Sequence, residues 1–175
     1  MDAAGIAHVH VESWRSTYAG IVPQNYLDNL HEWERAELWL DTLSRTDEVF
    51  VAEREGRVVG FAVGGPSRDR VEGCDAELYA IYLLAEVQRA RIGADLLHEL
   101  ARSLHESGFA RMDAWVLDAN PAKRFYERMG AHAAAAKQIE IGGVTLLERA
   151  YVWPDLSLLA ALPAPVETAS GYSDN

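Results

Sequence analysis

The sequence is poor in three features that would each indicate a particular class of protein. It has a single cysteine, Cys74, so it has neither an internal disulfide nor a paired-cysteine metal site. It contains no run of 18 apolar residues, and no basic segment followed by a long apolar stretch opens the chain. We therefore expect a cytoplasmic protein with no membrane partner.

Positive charge is also scarce. The chain has 16 Lys and Arg against 27 Asp and Glu, a formal net charge of -11. Such a chain repels phosphate backbones, so we expect no nucleic-acid partner. The six histidines show no metal-ligand spacing, since His8 and His10 would point to different faces of a helix. No metal site is expected.

The composition that is present suits one globular domain. Of the 175 residues, 49% are hydrophobic and 25% are charged, which is ordinary for a folded chain. After Pro154 the composition shifts to Leu, Ala, Pro and Ser. We expect a domain over residues 1–155 and a C-terminal tail over residues 156–175. The Ala/Leu-rich segment near the C-terminus is compatible with a homodimer.

The apolar periodicity predicts the order helix, helix, hairpin, strand, helix, strand, helix, hairpin. The segments are, in that order, residues 2–18, 24–43, 49–63, 76–84, 92–104, 112–117, 120–129 and 133–152. The strand–helix–strand unit should be a right-handed parallel crossover, whereas the hairpins make the rest of the sheet antiparallel. The predicted fold class is α+β, a mixed sheet with helices on its faces.

A phosphate-binding turn is predicted between the strand at 76–84 and the following helix. A helix N-terminus has unpaired backbone N–H groups and partial positive charge, both of which favour phosphate oxygens. Gly93 and Ala94 are small enough for close approach, and Arg89 and Arg91 add positive charge. The alternative is a plain strand-to-helix turn with one convenient glycine.

Two motifs carry a resemblance to a known family. The first is Glu77–Leu83 followed by Gln88-x-x-Arg91-x-Gly93, and the second is Asn120-Pro-Ala-Lys-Arg-Phe-Tyr-Glu-Arg-Met-Gly-Ala131. Together they resemble the GNAT acetyltransferase family, whose patterns are Gln/Arg-x-x-Gly-x-Gly/Ala and Asn-x-x-Ala-x-x-Phe-Tyr-x-x-x-Gly-Phe. The resemblance covers about residues 2–153.

The sequence departs from the family pattern at three places. Arg91 replaces the first glycine of the phosphate motif, where a left-handed conformation is costly for any other residue. Ala85 stands where the family often has proline. The short strand that usually precedes the first helix has no counterpart in this sequence, so the first edge strand is expected to be missing.

The resemblance implies a mostly antiparallel central sheet with one splayed parallel strand pair and helices on both faces. It also implies an N-acetyltransferase that moves an acetyl group from acetyl-CoA to a primary amine by direct attack in a ternary complex. The acceptor would be a small molecule or a protein amine. Two alternatives remain open: an acyl-CoA-binding regulatory module without turnover, and a nucleotide-binding protein that uses the same turn.

Roles for single residues follow from the resemblance. The Leu83 backbone N–H would polarise the thioester carbonyl, Tyr126 would protonate the leaving sulfur, and Glu77 would be the base, directly or through water. Trp14 and Tyr18 would contact the acceptor. The implied cofactor-binding residues are Ile81, Tyr82, Leu83, Gln88, Arg89, Ala90, Arg91, Ile92, Gly93, Ala94, Asn120 and Tyr126. The alternatives are structural: core aromatic residues, an exposed Glu77 at a strand end, and Asn120 as a helix N-cap.

Overall fold

A computed structural model describes residues 3–44 and 48–161, and these form helices packed on both faces of one sheet. The helices are α1 (Ala3–Thr17), α2 (Gln24–Asp28), α3 (Glu32–Leu43), α4 (Ile92–Glu106), α5 (Lys123–Arg128) and α6 (Leu156–Ala160). The strands are β1 (Glu48–Arg54), β2 (Arg57–Pro66), β3 (Ala76–Leu83), β4 (Met112–Leu117), β5 (His132–Ile141) and β6 (Val144–Trp153).

The sheet has the strand order β1-β2-β3-β4-β6-β5. The β3–β4 pair is parallel, and the other neighbouring pairs are antiparallel. Both predicted hairpins are present, as β1–β2 and β5–β6, and α4 makes the predicted crossover. The structure therefore confirms the α+β class and the mostly antiparallel sheet. In the described residues, no strand precedes α1.

The β3–β4 pair is short and then opens. Ladder pairing is confined to Ala76 with Met112 and Glu77 with Asp113, although both strands continue beyond those residues. We call this paired part the closed end. The open end comprises Ile81–Leu83 of β3 and Val116–Leu117 of β4, and the space between the diverging strands is the gap.

The closed end is fastened by the residue that precedes β3. The Asp75 carboxylate accepts hydrogen bonds from the backbone N–H of Ala110 at 3.0 Å and of Arg111 at 2.9 Å. In return the Arg111 carbonyl accepts from the N–H of Ala76 at 2.9 Å. These bonds hold the start of β3 to the start of β4.

Each face of the sheet is covered by a different helix layer. The apolar stripe of α4, which includes Leu97, Leu100 and Leu104, packs on the face that carries Met112 and Trp153. The opposite face packs against α1 and α3. We call the second face the α1 face. None of the described helices combines the length and the apolar character that a membrane crossing requires.

Two of the predicted helices have different bounds. The segment predicted as one helix over 24–43 is broken between α2 and α3, because the Leu30 carbonyl turns to accept from Nη2 of Arg15 at 2.9 Å. Helix α5 begins at Lys123 rather than beside Asn120. The Asn120 Oδ1 accepts from the Ala122 N–H at 2.8 Å, so Asn120 shapes the preceding turn and is not the N-cap.

The predicted C-terminal tail is described in its first part. Residues Leu156–Ala160 form α6, and Leu156 and Leu159 are buried against the main core. The Asp155 carboxylate caps this helix by accepting from the Ser157 N–H at 2.9 Å. Residues 162–175 lie outside the described residues.

Candidate active site

A cleft of about 750 Å³ extends through the gap between β3 and β4. Its walls come from β3, the turn into α4, the end of β4, α5 and the C-terminal part of α1. The lining residues are Ser13, Ser16, Thr17, Tyr18, Leu78, Tyr79, Ala80, Ile81, Tyr82, Leu83, Ala85, Val87, Gln88, Arg89, Arg91, Gly93, Ala94, Trp115, Val116, Asn120, Pro121, Ala122, Phe125, Tyr126, Arg128 and Met129. An extended ligand lying in the gap would contact all of these elements.

The N-terminus of α4 forms one wall of the cleft. Arg91 precedes the helix with φ of 67°, so it takes the left-handed conformation despite having a side chain. Arg89 is also left-handed, with φ of 64°. Among the described residues, no side chain caps α4. The first backbone N–H groups of α4 are therefore not covered by a side chain. Such uncovered N–H groups are what a helix N-terminus needs in order to bind a phosphate group.

Gly93 permits close packing at this wall. A Cβ atom at Gly93 would lie 3.1 Å from Cδ1 of Leu83, which is tighter than ordinary van der Waals contact. The absence of a side chain therefore lets the first turn of α4 approach the end of β3. This close packing suits a site in which the first turn of α4 binds a diphosphate and the end of β3 binds the extended group attached to that diphosphate.

The backbone of β3 faces the gap at its open end. The Leu84 N–H donates to the Val59 carbonyl of the β2 side at 2.9 Å. Because backbone direction alternates along an antiparallel ladder, the N–H and C=O groups of Leu83 point away from β2 and toward the gap. Consistent with this direction, Oγ of Ser13 donates to the Leu83 carbonyl at 3.0 Å.

Three tyrosines gather where the cleft reaches α1 and α5. Burial raises the pKa of Tyr126, and the nearby Tyr18 adds to the shift. Burial also raises the pKa of Tyr82 well above its ordinary value. The side-chain amide of Asn120 donates to the Tyr18 hydroxyl oxygen at 3.2 Å. All three phenols are therefore protonated near neutral pH, and those of Tyr18 and Tyr82 hydrogen-bond to each other.

The structure brings most of the predicted site residues to this cleft. Those that line it are Tyr18, Ile81, Tyr82, Leu83, Gln88, Arg89, Arg91, Gly93, Ala94, Asn120 and Tyr126. Ala90, Ile92 and Trp14 are not among the lining residues. Ile92 packs against the main core, and the Trp14 ring lies 4.7 Å from the Tyr18 ring, centroid to centroid.

Glu77 is a predicted catalytic residue that the structure places outside this cleft. It lies at the closed end, is 1% exposed and does not line the cleft. The Arg68 guanidinium engages both of its carboxylate oxygens, and the Arg68 backbone N–H donates to Oε2 at 3.0 Å. Its carboxylate is therefore already satisfied by protein donors.

Asp113 shares the closed end with Glu77. Its Oδ1 accepts from the Ser67 hydroxyl at 2.7 Å, whereas its buried Oδ2 has no partner among the described residues. Burial is the main reason why the pKa of Asp113 is raised to about 6, and the charge of Glu77 adds to the shift. Ser67, Arg68 and the carboxylates thus fix the loop that connects β2 to β3.

Sequence reasoning missed three residues near the cleft. Ser13 binds the end of β3 from α1, and Trp115 lines the gap with Nζ of Lys137 3.9 Å from its ring centroid. Glu148 is a half-buried acid on β6. Glu148 is the single acid of β6, and its neighbour Arg149 makes the pair look like an ordinary solvated Glu-Arg step, so the sequence gives little signal for it. In the described part of the chain, no group of three His, Cys, Asp or Glu side chains could hold a metal ion.

Comparisons with known proteins agree with this geometry. The Acetyltransferase (GNAT) family matches residues 10–131. The uncharacterized N-acetyltransferase YuaI of Bacillus subtilis (strain 168) is 45% identical over 162 residues, covering 92% of each chain. Phosphinothricin N-acetyltransferase of Streptomyces viridochromogenes is 31% identical over 96 residues, covering 53% of this chain and 52% of that protein.

The fold is also shared with a solved structure. The structure of yncA from Salmonella typhimurium with its cofactor acetyl-CoA superimposes with a TM-score of 0.65 at 20% sequence identity. The match covers 94% of this chain and 92% of that chain. The family match spans well over half of the sequence, so this chain belongs to the GNAT acetyltransferase family.

Proposed function

We propose that this N-acetyltransferase binds acetyl-CoA and a primary amine together and transfers the acetyl group directly between them. Acetyl-CoA is the acyl donor, and the acceptor is a small molecule or a protein amine. The observation that carries the proposal is the gap, because one cleft contains both the uncapped N-terminus of α4 and the free backbone edge of β3.

The donor would lie along the open end of β3. Its diphosphate would meet the amides at the start of α4, next to Gln88, Arg89 and Arg91, and its arm would pair with Ile81–Leu83 like an added strand. The Leu83 N–H, which points into the gap, would then donate to the thioester oxygen. One such donor is worth about 3 kcal/mol of transition-state stabilisation.

The amine nitrogen would attack the thioester carbonyl carbon, forming the C–N bond before the C–S bond breaks. Tyr126 would give its proton to the departing sulfur, because burial keeps this phenol protonated. The nitrogen then loses a proton, which restores the phenol. Tyr18 at the cleft wall, supported by Trp14, would contact the acceptor.

The role of Glu77 as the base is a prediction. The Arg68 guanidinium keeps its carboxylate engaged at the closed end, so proton transfer to Glu77 would need water molecules along the gap. Replacing Glu77 with Gln, which keeps an oxygen for Arg68, tests this role without leaving a cavity.

The function is tested by measuring CoA release with a panel of primary amines. Double-reciprocal plots at several fixed amine concentrations should intersect, because both substrates must be bound before chemistry. Intact-mass measurement after mixing with acetyl-CoA alone should show no acetylated enzyme. Parallel lines together with an acetyl-enzyme would contradict the ternary complex, and acetyl-CoA binding without turnover of any amine would indicate a regulatory module instead.

A further inference from the structure

Glu148 is level with the open end of the gap, one strand away from it, and is not among the residues that line the cleft. It lies on β6 directly opposite Leu117 of β4 and opposite Lys137 of β5. Residues that are directly opposite in antiparallel strands project from the same face of a sheet, so these three share one face. Leu117 packs in the cluster that contains Tyr18, which identifies this face as the α1 face.

The carboxylate of Glu148 has no hydrogen-bond partner among residues 3–44 and 48–161. Its cross-strand neighbour Lys137 bonds instead to Asp69 at 2.5 Å, and the next residue, Arg149, bonds to Asp118 at 2.8 Å. Over the described ranges, the structure shows no hydrogen bond or ion pair to the Glu148 side chain, although that side chain is half-buried. The Glu148 oxygens are not among the fully buried atoms that have no partner, so water reaches them, and an incoming ammonium N–H can replace that water.

The charges around Glu148 come from several elements. Burial raises its pKa, Lys137 and Arg68 oppose the shift, and Asp69 and Glu77 add to it. Glu148 in turn contributes to the raised pKa of Tyr18, after the larger effect of burial. Because Tyr18 lines the cleft, the charge of Glu148 is felt at the cleft wall.

The position of Glu148 differs from that of Glu77 along the same sheet face. Glu77 is level with Asp113, whereas Glu148 is level with Leu117, four residues further along β4. Four residues of strand correspond to about 13 Å. Glu148 is therefore at the end where Tyr18 and Asn120 meet, and Glu77 is at the end where the strands are still paired.

We propose that Glu148 receives the acceptor's ammonium group and takes a proton from it before attack. This inference rests on the proposed function and names the side chain that selects a cationic amine. The ammonium N–H bond breaks, its proton goes to a carboxylate oxygen, and the freed lone pair forms the C–N bond to the acetyl carbon. The thiolate takes its proton from Tyr126, the new amide returns one to Tyr126, and the Glu148 proton passes to water.

The experiment compares Glu148→Gln with Glu140→Gln, an exposed acid in the same hairpin. L-alaninamide and putrescine serve as amine probes. Binding of each probe to the CoA complex is measured by calorimetry, and kcat/KM is measured against pH. We expect Glu148→Gln to weaken probe binding at least tenfold and to lower kcat/KM about 100-fold.

The pH profile separates a catalytic effect from a structural one. A carboxylate base is lost as the pH falls through its pKa, so the wild type should have an acidic limb that Glu148→Gln lacks and Glu140→Gln retains. Acetyl-CoA affinity and the unfolding midpoint should be unchanged in both variants. Probe binding that depends on Glu148 without turnover would overturn the proposed function and the proton transfer, and it would support only the ammonium site at Glu148. Unchanged probe binding in Glu148→Gln, or no probe binding by the wild type, would overturn it.

Discussion

At the closed end of the β3–β4 pair, carboxylates meet protein donors: Glu77 is bound by Arg68, Asp113 by Ser67, and Asp75 by two backbone amides. At the open end, on the same face of the sheet, Glu148 has no such partner in the described residues, and the Leu83 N–H points into a cleft. The acids are chemically alike, yet their partners differ. We infer that the closed end contributes to stability and that the open end is shaped for ligands.

The largest expected effect is at the closed end. Arg68→Ala removes the guanidinium and leaves the Glu77 carboxylate, which is 1% exposed, without its charge partner. Because the Arg68 side chain is 67% exposed, its loss also lets water reach Glu77, and the free energy of unfolding should fall by about 2 kcal/mol, measured by urea denaturation. Acetyl-CoA affinity should not change, because neither residue lines the cleft.

A matched control is Arg54→Ala, an exposed arginine of the first hairpin that should change stability by less than about 0.5 kcal/mol. Adding Glu77→Gln to Arg68→Ala should restore part of the loss by removing the unpaired charge. Equal stabilities for Arg68→Ala and Arg54→Ala would contradict the inference that the closed end contributes to stability.

The second effect is at the open end and should be kinetic. Tyr126→Phe removes a buried phenol at the cleft, so kcat should fall about 100-fold while acetyl-CoA affinity stays the same. Stopped-flow or steady-state CoA release would measure it. Tyr151→Phe is the control, since its ring contacts Tyr126 and its hydroxyl donates to Glu127 at 3.2 Å. A similar loss in both variants would show that Tyr126 acts through packing.

The smallest effect concerns the turn into α4. Arg91→Gly should raise the free energy of unfolding by about 0.5 kcal/mol, because glycine takes the left-handed conformation without the steric cost that Arg91 bears. Arg91→Ala loses the same charge but keeps the strain, so it should give no gain. Thermal unfolding of both variants measures the difference, and equal midpoints would show that the turn is unstrained.

Much of the fold could be predicted from local patterns. The alternation around Glu55-Gly56 and Gly142-Gly143 indicates hairpins, and both are present. The break between α2 and α3 could not be predicted, because the Leu30 carbonyl is turned by Arg15, a residue 15 positions earlier. A hydrogen bond between separate elements leaves no periodic trace in the sequence.

The candidate site shows the same division. The turn residues Gln88–Ala94 and the Asn120 motif could be located by spacing, since each lies within one continuous segment. The environment of Glu77 could not be predicted from spacing, because its partner Arg68 comes from the preceding loop. The significance of Glu148 depends on β6 lying beside β4, which is a property of strand order rather than of any local motif.

Only two residue pairs join β3 to β4, so the two halves of the sheet are held together at one end of these strands. Asp75 holds that end of the pair together and lies at the opposite end of β3 from Leu83. A small change in the angle between β3 and β4 at the closed end produces a larger change in their separation at the open end. We infer that Asp75, which does not line the cleft, helps to set the width of the gap through these hydrogen bonds.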